Sequence, residues 1–229
     1  MEKSMKLTQS IAMAIVLASG SVAMAGAVVE LGPSDISPTL TGLDNLIFPE
    51  IRGATLQDVR HDFSIYADTE GQNADLLYQG TLMTRVVRSH ATGNLTFNYV
   101  LVDSNDSLSG SIAHVEVSGF EGWQTRVEYR NDAHAPYQGD AGPTSAQRSA
   151  SGDIIDFNFG SGLASGDQSE FFFAMLDTTE FYQDTGLATV YLDSGESVSF
   201  SIISANPVPA PGALGLLSAA GLLTVRRRR

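Results

Sequence analysis

From about Phe63 onward the chain alternates apolar and polar residues in short runs separated by turn residues. Period two marks a strand with one buried face. In "NLTFNYVLVD" (94–103) Leu95, Phe97, Tyr99 and Leu101 fall on one face. In "WQTRVEYR" (123–130) Trp123, Thr125, Val127 and Tyr129 oppose Gln124, Arg126, Glu128 and Arg130. Similar runs at 61–66, 77–87, 112–117, 153–159, 171–176, 188–192 and 197–203 bring the expectation to about nine strands and no long helix.

Clusters of Asp, Ser, Asn and Gly such as "DSNDSLSG" (103–110) and "GSGLASGDQ" (160–168) separate these runs and supply turn chemistry. Short strands at this spacing predict an all-β chain folded as an antiparallel β-sandwich, with a barrel as the alternative. Residues 139–152, "GDAGPTSAQRSASG", are too rich in small residues for an element and read as a long surface loop. Residues 26–50 read as an extended N-terminal strand around "NLIFPEI".

The two ends break the strand pattern. "MEKSMKLTQSIAMAIVLASGSVAMAG" carries Lys3 and Lys6, an apolar stretch from Ile11 to Ala18, and then small residues. That order describes a secretory signal peptide over residues 1–25, with Ala23 and Ala25 flanking the best cleavage motif. At the other end Pro209 and Pro211 precede the uncharged stretch from Gly212 to Val225 and then Arg226, Arg227, Arg228 and Arg229. Fourteen helical residues span roughly 21 Å against about 30 Å of hydrocarbon, a marginal transmembrane helix. The arginines would hold its end on the cytoplasmic side while the signal peptide directs the body outward.

Between the ends, 13 basic residues less two lysines and four arginines leave seven, and 26 acidic residues less Glu2 leave 25, a net charge of -18. The body contains no lysine. Such a surface repels nucleic acid and anionic lipid, whose binding depends on basic side chains. No cysteine is present, which excludes a disulfide framework, a thiolate metal site and a cysteine nucleophile. Roughly 180 residues suit one domain, 26–204, between the signal peptide and a terminal segment, 205–229.

In its order of Pro-x-Pro, short Gly/Ala/Leu-rich span and terminal arginine cluster, the C-terminus resembles the PEP-CTERM sorting signal of exported bacterial proteins. The motif falls on Val208, Pro209, Ala210 and Pro211, the span on Gly212 to Val225 and the anchor on Arg226 to Arg229. The family's usual central Glu is replaced by Ala210, giving a variant V-P-A-P-G signal. The resemblance implies transient membrane insertion, processing by an exosortase-type transpeptidase and delivery to the cell surface or medium. It also implies exopolysaccharide as a partner but does not say what the delivered body does, for which a structural or adhesive role is the expectation. "GLASGDQSEFFFAM" further resembles a turn found in sandwich bodies of such proteins. There Gly162 and Gly166 relax a turn and Phe171 and Phe173 point into a core.

Candidate chemistry is sparse. His61, His90, His114 and His134 show no metal-binding spacing, and each reads as a surface or strand-face histidine. "GLASG" has the wrong spacing for a nucleophile elbow. The 26 acidic residues offer no carboxylate pair that spacing alone can single out. Oxygen-rich turns at Asp103 to Ser107 and Ser151 to Asp153 make calcium the one cofactor to consider, without an EF-hand order. Trp123 reads as core, or else as a sugar-stacking platform. The expectation is therefore a non-enzymatic surface protein, with a glycan-active hydrolase or carbohydrate-binding module on the same scaffold as the rival.

Overall fold

The computed structural model describes residues 27–205 except 68–73, 104, 106 and 133–137. The expected signal peptide with Ala23 and Ala25, His134, and the terminal segment with Val208 to Pro211 and Arg226 to Arg229 lie outside the described residues.

Twelve strands form among the described residues: β1 (Val29–Glu30), β2 (Ile36–Ser37), β3 (Gly53–Tyr66), β4 (Leu76–Ser89), β5 (Leu95–Val102), β6 (Ser111–Val117), β7 (Thr125–Tyr129), β8 (Ser145–Arg148), β9 (Ile155–Ala164), β10 (Phe172–Leu176), β11 (Phe181–Leu192) and β12 (Ser197–Ala205). They make two six-stranded sheets. The first runs β1-β7-β10-β5-β4-β3 and the second β12-β11-β6-β9-β8-β2, and every paired strand is antiparallel. Neither sheet closes on itself, so the arrangement is sandwich-like and not a barrel.

One core fills the space between the sheets. Leu82, Val86, Phe97, Tyr99, Val127 and Phe172 come from the first sheet, and Val115, Val117, Phe157, Val190 and Ile202 from the second. Rings interlock across it, with Phe157 4.9 Å from Phe172 and Phe97 edge-on to Phe120 at 6.2 Å. Such pairs add about 0.5–1.5 kcal/mol each beyond their buried area.

The alternation expected for β5 is absent, because seven of its eight residues are buried. Its second face is covered. Residues 41–52 cross the outer face of the first sheet, where Leu43, Phe48 and Ile51 pack on Phe173 and Met175. This segment is not the extended strand expected around "NLIFPEI". Backbone N–H groups of Ile47 and Phe48 bond back to Asp44, and Pro49–Ile51 is a 3₁₀ turn with proline at its start. Proline suits that position because its missing N–H has no helical partner to lose.

The cover also corrects the reading of "FFFAML". Phe172 points between the sheets, whereas Phe173 faces the cover and Phe171 packs with Met83 and Val100. Residues 139–152 contain strand β8 where a loop was expected. Ala146 and Arg148 face inward, and the Arg148 guanidinium donates 2.8 Å bonds to the carbonyls of Gly152, Leu31, Phe120 and Trp123. Three stretches of chain are tied by one side chain. Gly166 adopts a positive φ of 92° in the expected turn, whereas Gly162, at 86°, lies inside β9 where its register with β6 shifts, and not in a turn.

Candidate functional site

A cleft of about 560 Å³ opens where the cover segment meets the outer face of the first sheet. Its floor is Thr55 of β3 with Arg85 and Val87 of β4, and its walls are residues 44–46 and 51–53 on one side and Arg130 and Asp132 on the other. Three of the seven arginines of the body converge here.

Pairing across strands builds the floor. Asp58 of β3 lies opposite Arg85 of β4, and Arg85 donates Nε to Oδ1 at 2.7 Å and Nη2 to Oδ2 at 2.9 Å. The same guanidinium sits 5.3 Å from the Phe171 ring centroid, within cation–π range. Arg130 makes a second forked pair, Nε to Asp132 Oδ1 at 2.9 Å and Nη2 to Oδ2 at 2.6 Å. Asp132 also accepts from Asn45 Nδ2, whose Oδ1 accepts from Arg52 Nε at 2.9 Å. A wall of alternating donors and acceptors results. Arg52 is exposed, and its Nη groups make no hydrogen bond among the described residues. Exposed His90 completes the rim. The Arg52 Nη groups, beside two guanidinium–carboxylate pairs, are suited to carboxylate or hydroxyl groups of a ligand.

Deeper under the cover lies Glu128, 1 % exposed. Its Oε1 accepts the backbone N–H of Thr41, Gly42 and Tyr129 at 3.1–3.2 Å. Burial raises the pKa of this carboxyl, while the three N–H donors pull it down. The group pins the cover to the sheet.

A second cleft of about 400 Å³ is lined by Glu30, Leu31, Pro33, Asp35, Trp123 and Arg148 among others. Trp123 is half-buried and packs on the core while one side lines this cleft.

Comparison with protein-family models, curated proteins and solved structures finds no significant match. Function must therefore be read from the residues.

The remaining sequence candidates fall apart. His61 stacks on Phe200 at 5.1 Å with its Nε2 buried and unpartnered, and burial lowers its pKa. Neighbouring Asp62 accepts from Thr81 Oγ1 instead. Ser165 of "GLASG" donates to Asp103 Oδ2 at 3.0 Å and to the Asn105 carbonyl. Asp103 is further occupied by the N–H groups of Asn105 and Gly166, and Asp153 Oδ1 by those of Gly119 and Phe120. Both oxygen-rich turns thus use these carboxylates to tie loops. His114 lies on the outer face of the second sheet beside Glu116 and Asp156. The arginine cleft escaped sequence reading because its residues come from separate strands and from the cover. Only the scarcity of basic residues hinted that each would matter.

Proposed function

We propose that the chain is an exported bacterial protein of the cell surface or extracellular matrix, structural or adhesive and non-enzymatic. Its body would be an antiparallel β-sandwich, flanked by a signal peptide and a short sorting helix. The observation that carries this reading is the order of Val208-Pro209-Ala210-Pro211, uncharged span and Arg226 to Arg229, opposite a signal peptide at the other end. An exosortase-type transpeptidase is the processing partner this order implies. Intact mass and fractionation of the native protein test it. A mature chain beginning near Gly26 and ending between Val208 and Gly212, found at the surface or in the medium, is the expected result. A chain that reaches Arg229 and stays in the inner membrane would overturn the sorting assignment.

The arginine cleft favours a second, compatible reading, in which the body binds an acidic polysaccharide of the matrix. Arg52 and His90 would meet carboxylates along the polymer, while Arg85 and Arg130, paired with Asp58 and Asp132, hold the walls in place. Calorimetry with a uronic-acid oligosaccharide should show binding that weakens with salt and at least fivefold on Arg52→Ala. Equal binding of a neutral oligosaccharide would sink the charge-based reading.

A further inference from the structure

We propose that His114, Glu116 and Asp156 form a site for a zinc-class divalent cation on the outer face of the second sheet. One ligand atom from each residue lies within 4.8 Å of the other two.

The sheet creates this convergence. Glu116 of β6 stands directly opposite Asp156 of β9, and His114 follows two positions away on the same strand. The pairing of β6 with both neighbours slips between Ile112 and His114. Ile112, Val115 and Val117 are all core residues, so two residues separate the first two where alternation allows one. Such a bulge re-aims the strand locally. Beyond it, plain alternation with Val115 and Val117 sets His114 outward with Glu116.

The neighbours fix the ligands from behind. Tyr191 of β11 stacks on the His114 ring at 4.3 Å and donates its hydroxyl to Glu116 Oε2 at 3.1 Å. Gln147 of β8 donates to Asp156 Oδ2 at 3.3 Å. These contacts orient an imidazole and two carboxylates as second-layer hydrogen bonds do in metal sites. One atom is left over. Asp156 Oδ1 is buried and has no hydrogen-bond partner among the described residues. A buried, unpartnered carboxylate oxygen costs stability, and two carboxylates directly across a sheet repel. A cation between them removes both costs.

The donor set selects the ion class. Calcium prefers six to eight oxygens, whereas one nitrogen and two oxygens match zinc and its first-row neighbours. Zinc bonds of about 2.0–2.2 Å need donor atoms closer together than 4.8 Å, so binding would draw the three donors inward. Three protein ligands leave a coordination position for water, because all three residues are only partly buried. This site is independent of the arginine cleft, which lies on the other sheet.

The full chain, stripped with a chelator and dialysed, is titrated with Zn²⁺ by calorimetry, with Co²⁺ absorption reporting coordination. One Zn²⁺ per chain is expected, together with a rise in Tm. Asp156→Asn keeps the shape and removes the charge, and His114→Phe keeps the stack on Tyr191. Each should weaken binding at least tenfold and abolish the Tm shift, while His61→Phe should leave binding unchanged. Absence of binding, binding indifferent to Asp156→Asn and His114→Phe, or preference for Ca²⁺ over Zn²⁺ would each overturn the assignment. Urea unfolding of both variants without metal separates lost ligation from lost fold.

Discussion

The outer faces of the two sheets have opposite fates. On the first, residues 41–52 lie across β10 and β7, and Phe173, Met175 and Glu128 disappear beneath them. On the second no such cover lies among the described residues, and Gln147, Asp156, Glu116 and Ser199 remain partly or fully exposed. The difference is visible strand by strand. All five residues of β10 are buried, whereas the first five of β9 and of β12 keep strict alternation. A half-open sheet preserves period two, and a sheet covered on both faces erases it.

The sharpest way to break this contrast is to hollow the covered face. Phe173→Ala should destabilise by about 3–5 kcal/mol, since it removes a fully buried ring from between cover and sheet. Urea unfolding measures it, and a loss below about 1 kcal/mol would mean the cover is not seated. Arg148→Ala comes next, at about 3 kcal/mol, because four inward carbonyls lose their donor together. Arg148→Lys should recover only part of that, as an ammonium lacks the planar fork. Full recovery by lysine would show that charge, not geometry, ties the three segments.

Glu128 sharpens the comparison through pH. Glu128→Ala strands the N–H groups of Thr41 and Gly42 beneath the cover and should cost about 2 kcal/mol. In the wild type its raised pKa means that the folded state holds this proton more tightly than the unfolded chain does. Its contribution is therefore full below the unfolded value of about 4.3 and declines as pH rises through the folded value. Asp156 and Glu170, also raised by burial, act with the same sign. His61, lowered by burial, opposes them by costing stability as pH falls below about 6.5. Glu128→Gln should flatten the acidic part of the profile. An unchanged slope between pH 4 and 7 would assign the pH dependence to other carboxylates.

The same contrast explains what was legible in the sequence. Strands such as β6, β9 and β12, open on one face, announced themselves by alternation. In "FFFAML" both faces are apolar, so the pattern showed a strand but its faces were assigned the wrong way round, Phe172 and not Phe171 or Phe173 entering the core between the sheets. Strand β8 was hidden because Ser145, Ala146 and Gln147 are weak strand formers and its inward anchor, Arg148, is a residue normally placed outside. Strands of two residues, β1 and β2, are too short to carry a period. Both candidate sites depend on register. Asp58 meets Arg85 and Glu116 meets Asp156 only through strand pairing, and no local spacing encodes that. Asp103 and Asp153 resembled metal loops because an Asp that ties a turn and one that binds calcium share the same neighbours.

The smallest effect tests whether the second face is open in solution. Ser199 is exposed on edge strand β12 and shares a 2.9 Å hydroxyl contact with Thr189 across to β11. Ser199→Val loses that contact, worth about 0.2–1 kcal/mol, and gains a β-branched side chain suited to a pleated surface. The two changes should offset to within about 0.5 kcal/mol, as surface substitutions usually do. Urea unfolding at several protein concentrations is the measurement. A loss above about 1.5 kcal/mol that grows with protein concentration would mean that another copy of the chain packs on this face. The two sheets would then differ in what covers them, and the alternation in β12 would reflect a polar interface instead of open solvent.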